Sequence, residues 1–315
     1  MNRGMRAAIA AGATVGVPAL VNLVVRSRAQ APPSTLGGQE CYYSWRGGDI
    51  FYAAAGQGSP LLLVHGIGAG ASSYEWQQNF MQLSETFSVY ALDLLGFGLS
   101  DRPKVHYRAH LYVDLLHDFI EEVIGMPTNA IGSSLSAAYL VENAARAPES
   151  FLRLMLVCPA GVSTLHEPPG VGGQVAVRLM KTPVWGQAVY NVMASHPAVA
   201  HELKDRLFAN PANVTPAMIR HYYLSSHQPG ALGPIAAFVG DRLNLDVAEA
   251  FASLALPVKL VWGAQATYAP LADAAAWLDL NQNAELTVLD DAGMLPHNEQ
   301  PLQFNRIVEE QLAGR

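Results

Sequence analysis

Short apolar runs alternate with helix-like patterns along most of this chain, and the alternation constrains the fold more than any other feature. Tyr107–Ile124 is the clearest helical pattern, because Leu111, Leu115, Phe119 and Val123 recur every four residues. Strands that are apolar throughout and separated by helices form a parallel sheet covered on both faces. The sequence therefore predicts an α/β fold with a mostly parallel, doubly wound sheet. Its predicted buried strands are Leu61–His65, Ser88–Leu92, Thr128–Gly132, Leu152–Cys158, Val258–Trp262 and Glu285–Leu289.

The alternation stops between the strands at 152–158 and 258–262. The intervening residues are proline-rich and irregular, with helical patterns among them. We interpret them as a helical cap over the carboxyl edge of the sheet, where ligands bind in open α/β folds. The expected organisation is an N-terminal hydrophobic segment at 1–28, a linker at 29–40, a core in two parts at 41–162 and 251–315, and the cap at 163–250.

The N-terminal segment contains an uncharged run, Ala7–Val25, flanked by arginines on both sides. As a helix this run would span about 28 Å, close to the hydrocarbon thickness of a bilayer. We favour an uncleaved membrane anchor, which makes the membrane and a membrane protein expected partners. Two alternatives stay open: a signal peptide cleaved near Ala29-Gln30-Ala31, giving a secreted protein, and a helix lying on the protein or on the membrane surface. The flanking arginines do not define the side of the membrane.

Composition excludes several classes of function. The formal net charge of −7 argues against nucleic-acid binding, which requires a basic face. The two cysteines, Cys41 and Cys158, are too few for a disulfide framework or a zinc cluster. The sequence contains no phosphate loop, haem motif or dinucleotide fingerprint, so we expect neither a metal nor a cofactor.

One motif indicates nucleophilic chemistry. Ile131–Ala137 has the pattern of a nucleophile elbow, in which small residues at Gly132 and Ser136 let strand and helix approach closely around Ser134. A glycine-rich turn, His65–Gly70, follows an earlier strand. The backbone amides of Ile67 and Leu135 would then form an oxyanion hole.

From about residue 41 to residue 312 the chain resembles the α/β-hydrolase fold superfamily, in particular the capped branch that includes esterases, lipases, epoxide hydrolases and haloalkane dehalogenases. This resemblance implies the fold described above and a serine-dependent hydrolase acting on ester bonds. It says little about the substrate, because the fold hosts many chemistries. The matching stretches are Leu61–Gly70, Asp93–Pro103, the elbow, Val261-Trp262-Gly263 and Gly293–Pro301.

Two positions depart from the family pattern. Where the family carries the acid, three residues after Gly263, this chain has Ala266. Where the family carries the histidine base, it has Met294, in an alignment anchored by Pro296 and Pro301. Methionine cannot take a proton from a hydroxyl. In serine proteases, loss of the base lowers kcat by roughly 2 × 10⁶.

His297 is the nearest candidate for a substitute base, although the family uses that position structurally. Asp290, Asp291 or Glu299 could orient it. We favour a degenerate hydrolase, a pseudoenzyme that binds an apolar or acyl-bearing ligand or a partner protein. The alternative is an active carboxylic ester hydrolase with a rearranged triad through His297. A third hypothesis, overlapping the first, is a subunit of a membrane complex.

Overall fold

A single eight-stranded sheet forms the centre of the protein. The computed structural model describes residues 16–25, 27, 29–162, 178–180, 182 and 184–313. The strands are β1 (Gln39–Trp45), β2 (Gly48–Ala55), β3 (Ser59–Val64), β4 (Phe87–Leu92), β5 (Thr128–Ser133), β6 (Phe151–Val157), β7 (Val258–Gly263) and β8 (Ala284–Leu289).

The strand order is β1-β2-β4-β3-β5-β6-β7-β8. β1 and β2 form an antiparallel hairpin, β2 pairs antiparallel with β4, and every later neighbour is parallel. This arrangement confirms the predicted mostly parallel, doubly wound sheet. It also places the carboxyl ends of β3, β5, β6, β7 and β8 along one edge, so the loops after those strands meet there.

Helices cover both faces of the sheet, and several lie between β6 and β7. Helices α2 and α3 are the connections on either side of β5, which explains their apolar stripes. The helices are α1 (Phe80–Leu83), α2 (Ala109–Phe119), α3 (Leu135–Arg146), α4 (Trp185–Met193), α5 (His196–Glu202), α6 (Pro216–Ser226), α7 (Leu232–Val239), α8 (Ala248–Ser253), α9 (Ala274–Leu280), α10 (Pro296–Glu299) and α11 (Pro301–Leu312).

The central strands are buried on both faces. Leu61, Leu62, Leu63 and Val64 of β3 have no exposed surface. Strand β8, at the edge of the sheet, is mostly half-buried. The continuous apolar runs of the central strands thus reflect their position between two helical layers.

The segment Ser73–Leu83, whose apolar residues predict a single helix, does not form one. A 3₁₀ turn at Ser73–Trp76 is followed by the four-residue helix α1. The amide of Ser73 donates a hydrogen bond to Asp93 Oδ1 at 2.6 Å, and the side chain of Glu75 turns inward. The segment thus makes contacts with the sheet edge in place of the hydrogen bonds of a continuous helix, which the apolar pattern predicted.

The prediction of a membrane anchor at the N-terminus is wrong. Residues 16–25 are helical, whereas residues 1–15 lie outside the described part of the chain. Among the described residues, no helix has both the length and the apolar character needed to cross a bilayer. The side chain of Asn22 donates to the carbonyl of Val184 at 2.9 Å and accepts from Asn191 Nδ2 at 3.0 Å.

The predicted linker and cap are described only in part. Leu36, in the linker, is buried in the core. Residues 163–177, at the start of the predicted cap, lie outside the described residues. The described residues between β6 and β7 form helices α4 to α8, but the boundaries of the domains stay predictions.

Candidate active site

Ser134 lies in the sharp turn between β5 and α3. Its backbone angles, φ 53° and ψ −122°, are strained for a residue with a side chain. A Cβ atom on Gly132 would lie 2.8 Å from Leu140 Cδ1 and 3.0 Å from the backbone of Ala137, so the strand and helix approach too closely for any larger residue. This is the local geometry of a nucleophile elbow. The role of Ser134 as a nucleophile stays a prediction.

Ser136 connects the elbow to the glycine-rich turn after β3. Its hydroxyl donates a hydrogen bond to the carbonyl of His65 at 2.6 Å. His65 Nε2 accepts from the amide of Leu94 at 3.1 Å, so its proton is on Nδ1, which donates to the carbonyl of Gly66 at 2.7 Å. A serine at 136 therefore gives the turn a hydrogen bond that glycine could not provide.

A cavity of about 500 Å³ opens above the elbow. Ser134 lines it, together with Ile67 and Leu135, whose amides are the expected oxyanion donors. Most of the remaining lining is apolar and comes from the sheet edge and from the helices between β6 and β7. It includes Ala160, Met193, Val199, Leu207, Ile235 and Leu295. The volume is in the range of small-molecule sites, about 300–1,000 Å³.

Met294 and Ala266 lie on the two loops that follow β8 and β7. Met294, which the sequence predicts at the position of the family's base, is buried and lines the cavity with its thioether. Ala266 is buried and does not line the cavity. The amide of Gln265 donates to the carbonyl of Ala292 at 2.9 Å, which holds the two loops together. The two loops that carry the predicted acid and base positions are thus bonded to each other, and the roles of these positions stay predictions.

The buried thiol of Cys158 lies beneath these loops. Its Sγ accepts from the amide of Gly263 at 3.5 Å and donates to the carbonyl of Gly293 at 3.7 Å. Burial raises the pKa of this thiol to about 12. Cys158 is therefore a packing residue without thiolate character.

His297 is fully buried and is not among the residues that line the cavity. Its ring stacks on Trp76 with 4.3 Å between the ring centroids. Its Nε2 lies 3.2 Å from Oε1 of Glu75, which is also buried. The structure thus brings His297 to a carboxylate but not to the cavity that Ser134 faces, and its proposed use as a base stays untested.

Glu75 lines the cavity and connects the glycine-rich turn to His297. Its Oε2 accepts a hydrogen bond from the amide of Gly66 at 2.9 Å. Burial alone would raise the pKa of Glu75, but the hydrogen bond and charge of His297, the Ser133 hydroxyl and the Gly66 amide together lower it below its usual value. Glu75 is therefore a carboxylate at the floor of the cavity.

The other predicted acidic partners of His297 lie elsewhere. Asp290 and Asp291 are exposed. The carboxylate of Glu299 accepts hydrogen bonds from the amides of Ala209, Asn210 and Gly293 at 3.0, 2.9 and 2.7 Å. Glu299 thus bonds the loop after β8 to the segment between β6 and β7, and it does not orient His297.

Sequence reasoning missed the two carboxylates of the cavity, Glu75 and Glu202, and gave His201 no place in it. His201 is the histidine among the described lining residues; its side chain is 66% exposed, and its Nδ1 lies 2.6 Å from Asp205 Oδ2. The only available signal for Glu75 was an acidic residue between two aromatic residues, Tyr74 and Trp76, directly after the glycine-rich turn. Among the described residues, no group of three His, Cys, Asp or Glu side chains could hold a metal ion.

Comparison with known proteins establishes the family. The sequence model of the Alpha/beta hydrolase family matches residues 61–307. The chain belongs to this family. The match includes the elbow, both departing positions and the helices between β6 and β7, so the family resemblance extends well beyond a single motif.

Several relatives with a named function are hydrolases, and another is the dihydrolipoyllysine-residue acetyltransferase component of an acetoin cleaving system in Cupriavidus necator. An uncharacterised protein of Mycobacterium tuberculosis is 23% identical over 82% of this chain and 76% of its own length. The 2-hydroxy-6-oxo-6-(2'-aminophenyl)hexa-2,4-dienoic acid hydrolase of Metapseudomonas resinovorans is 34% identical, over 37% of this chain and 41% of that protein. Among solved structures, a meta-cleavage product hydrolase from Pseudomonas fluorescens has a TM-score of 0.69 at 26% identity, covering 84% of this chain and 94% of that one.

Proposed function

We propose that this protein binds an apolar or acyl-bearing molecule in the cavity above Ser134 and hydrolyses esters poorly or not at all. The observation that carries the proposal is Met294, a buried thioether lining the cavity at the position of the family's base. A serine hydroxyl without a neighbouring base is a weak nucleophile. The hydrolase fold thus keeps the means to hold a ligand and lacks the means to activate Ser134.

The histidines near the site do not replace the missing base. His297 is buried behind Glu75, away from the cavity surface. His201 is largely exposed and paired with the exposed Asp205, which supports a position at the mouth of the cavity. A general base must come within hydrogen-bond reach of the proton that it removes. Neither arrangement favours proton transfer from Ser134.

The cavity itself supports binding. Small-molecule sites are mostly apolar, with a few polar groups that fix orientation. Here the polar groups at the floor are Ser133, Ser134 and Glu75, and the walls combine aliphatic side chains with aromatic ones such as Tyr222 and Phe238. An acyl chain along the walls would place its carbonyl oxygen near the amides of Ile67 and Leu135.

Labelling with a fluorophosphonate, detected by intact mass, tests whether Ser134 is activated. We expect no adduct on the wild-type protein over several hours, as for Ser134→Ala. Rapid labelling that disappears in Ser134→Ala would overturn the proposal. The variants His297→Ala and His201→Ala would then identify the substitute base, and loss of labelling in His297→Ala would favour the active ester hydrolase with a rearranged triad.

Titration calorimetry with dodecanamide tests the binding half of the proposal. A cavity of about 500 Å³ holds roughly 15 non-hydrogen atoms if each takes about the 30 Å³ that a water molecule occupies in the liquid. Dodecanamide is of this size and resists hydrolysis. Saturable binding is expected, and Val199→Trp, which narrows the cavity, should abolish it. Failure of the wild-type protein to bind would count against a ligand site for single acyl chains.

A further inference from the structure

The titratable groups of the cavity are unbalanced in charge. Two carboxylates line it, Glu75 at the floor and Glu202 on the exposed side. No lysine or arginine occurs among the described residues of the lining. An apolar cavity of this kind provides no permanent positive charge for an anionic ligand.

Glu75 lies directly against the elbow. A Cβ atom built on Gly66 would be 3.5 Å from Glu75 Oε2, 3.4 Å from Ser133 Oγ and 3.6 Å from Ser134 Cβ. The carboxylate, the two serines and the glycine-rich turn therefore converge on one small volume. Any polar head that reaches Ser134 also comes close to the carboxylate of Glu75.

The partner of Glu75 does not shield the cavity. His297 faces Oε1 at 3.2 Å, stacks on Trp76 and is absent from the lining. Even with a charged imidazole, the pair presents its negative end to the ligand. Electrostatic interactions are strong in a site with little water, so the carboxylate of Glu75 would repel a negatively charged ligand head.

We propose that the cavity selects ligands with an uncharged acyl head, in particular an amide, and discriminates against free carboxylates. This inference rests on the proposed ligand-binding function and specifies its ligand class. A carboxylate at the elbow would have to lie beside that of Glu75, whose partner His297 is outside the cavity lining. Such a like-charge contact is costly in a buried site. A primary amide offers a carbonyl oxygen to the amides of Ile67 and Leu135, and N–H donors to Glu75.

The proposal separates this chain from its named relatives. The hydrolase of Metapseudomonas resinovorans is named for a dienoic acid, which carries a carboxylate. A cavity floor with Glu75 and no described cation in the lining is poorly suited to such a substrate. The two proteins would thus share the fold and differ in the charge of the molecule they accept.

Calorimetry at pH 8 with three ligands of one chain length tests the proposal. Dodecanamide is neutral, dodecanoate is anionic and dodecylamine is cationic under these conditions. We expect dodecanamide to bind at least tenfold more tightly than dodecanoate. Dodecylamine should bind with intermediate affinity, because its charge suits Glu75 but it has no carbonyl oxygen for the amides of Ile67 and Leu135. Equal or tighter binding of dodecanoate by the wild-type protein would overturn the inference and leave the binding function standing, whereas absence of binding by all three ligands would remove the binding function itself.

The variant Glu75→Gln assigns the selectivity to one residue. It should raise the affinity for dodecanoate at least fivefold and so reduce the preference for dodecanamide over dodecanoate. Glu202→Gln, on the exposed side of the same cavity, is the matched control and should change dodecanoate affinity less than twofold. An unchanged preference in folded Glu75→Gln protein would contradict the assignment. If Glu75→Gln does not fold, the order of the three ligands in the wild-type protein still decides the inference.

Discussion

The amide of Met294 donates a hydrogen bond to the carbonyl of Leu207 at 2.9 Å. Leu207 belongs to the segment between β6 and β7, and Met294 to the loop that follows β8. The loop that carries Met294 is therefore bonded directly to the segment above the cavity. Glu299 reinforces the connection through the amides of Ala209, Asn210 and Gly293.

Replacing Glu299 by glutamine should destabilise the protein. A glutamine side chain has one oxygen acceptor, so it cannot satisfy the three backbone donors that the carboxylate now serves. We expect a loss of about 1–3 kcal/mol in the free energy of unfolding, since hydrogen bonds to charged groups have this magnitude. Urea denaturation measures the change. The control Glu310→Gln alters an exposed pair with Arg306 and should change stability by less than about 0.5 kcal/mol.

Restoring the base should restore some catalysis. We expect Met294→His to hydrolyse a short acyl ester at least tenfold faster than wild type, because the imidazole would enter the cavity where the thioether now lies. Adding Ala266→Asp should increase the rate further, since the acid fixes the tautomer of the base. Initial rates of p-nitrophenyl acetate hydrolysis measure both effects. Leu295→His, which adds the same ring one residue further along the cavity wall, should give no gain; equal rates in the two histidine variants would mean that position 294 has no special geometry.

His221 should make the protein less stable in acid. It is buried in α6, stacks on Tyr74 at 3.8 Å between ring centroids and has its Nε2 3.1 Å from Ser72 Oγ. Burial lowers its pKa to about 4, and Asp93 opposes this only in part. A histidine whose pKa is depressed by folding stabilises the folded state above its unfolded pKa, about 6.5, and this stability is lost as the pH falls through about 4.

The variant His221→Phe keeps a ring against Tyr74 and removes the titration. Between pH 7 and pH 4 the wild-type protein should lose up to about 3 kcal/mol more stability than this variant. Urea denaturation at several pH values measures the difference. His196→Phe is the control, because His196 also stacks on a tyrosine, Tyr223, but is exposed. Parallel pH profiles for wild type and His221→Phe would contradict the prediction.

The elbow should not tolerate a methyl group at position 132. In Gly132→Ala the new Cβ would meet Leu140 and Ala137 at 2.8 and 3.0 Å. Overpacking of this kind costs about 1–3 kcal/mol, which a thermal unfolding curve would detect as a lower Tm. Gly68→Ala is the matched control, because nothing lies within 4 Å of a Cβ built there. Similar Tm values for the two variants would show that the strand and helix can separate at little cost.

The sheet could be predicted from the sequence because the apolar pattern of a buried strand occurs several times along the chain. Strands such as Leu61–Val64 are apolar at every position, and this pattern occurs only where both faces are covered. The elbow was predictable because strand β5 and helix α3 approach each other closely around Ser134. This approach requires small residues, here Gly132 and Ser136, and such a pattern can be recognised in the sequence. The assignment of Ala266 and Met294 to the acid and base positions rests on alignment alone and stays a prediction.

Other features had no such signal. The inward turn of Glu75 depends on the amide of Gly66 and on His297, which is more than 200 residues away in the sequence. The apolar spacing of Ser73–Leu83 predicted a helix because periodicity reports burial and not the hydrogen bonds that end a turn. The N-terminal apolar run was misread because hydropathy alone does not distinguish a spanning helix from one that packs on the protein. The described residue Asn22 donates a hydrogen bond to the carbonyl of Val184.

The strained backbone of Ser134 is the cost of a hydroxyl in the elbow. A residue with a side chain at φ 53° and ψ −122° destabilises the fold by about 1–3 kcal/mol, whereas glycine adopts positive φ freely. With glycine at position 134 the protein would resist heat better, but it would present no side-chain oxygen of residue 134 to the cavity. Thermal robustness and the hydroxyl are thus opposed at a single position of the chain.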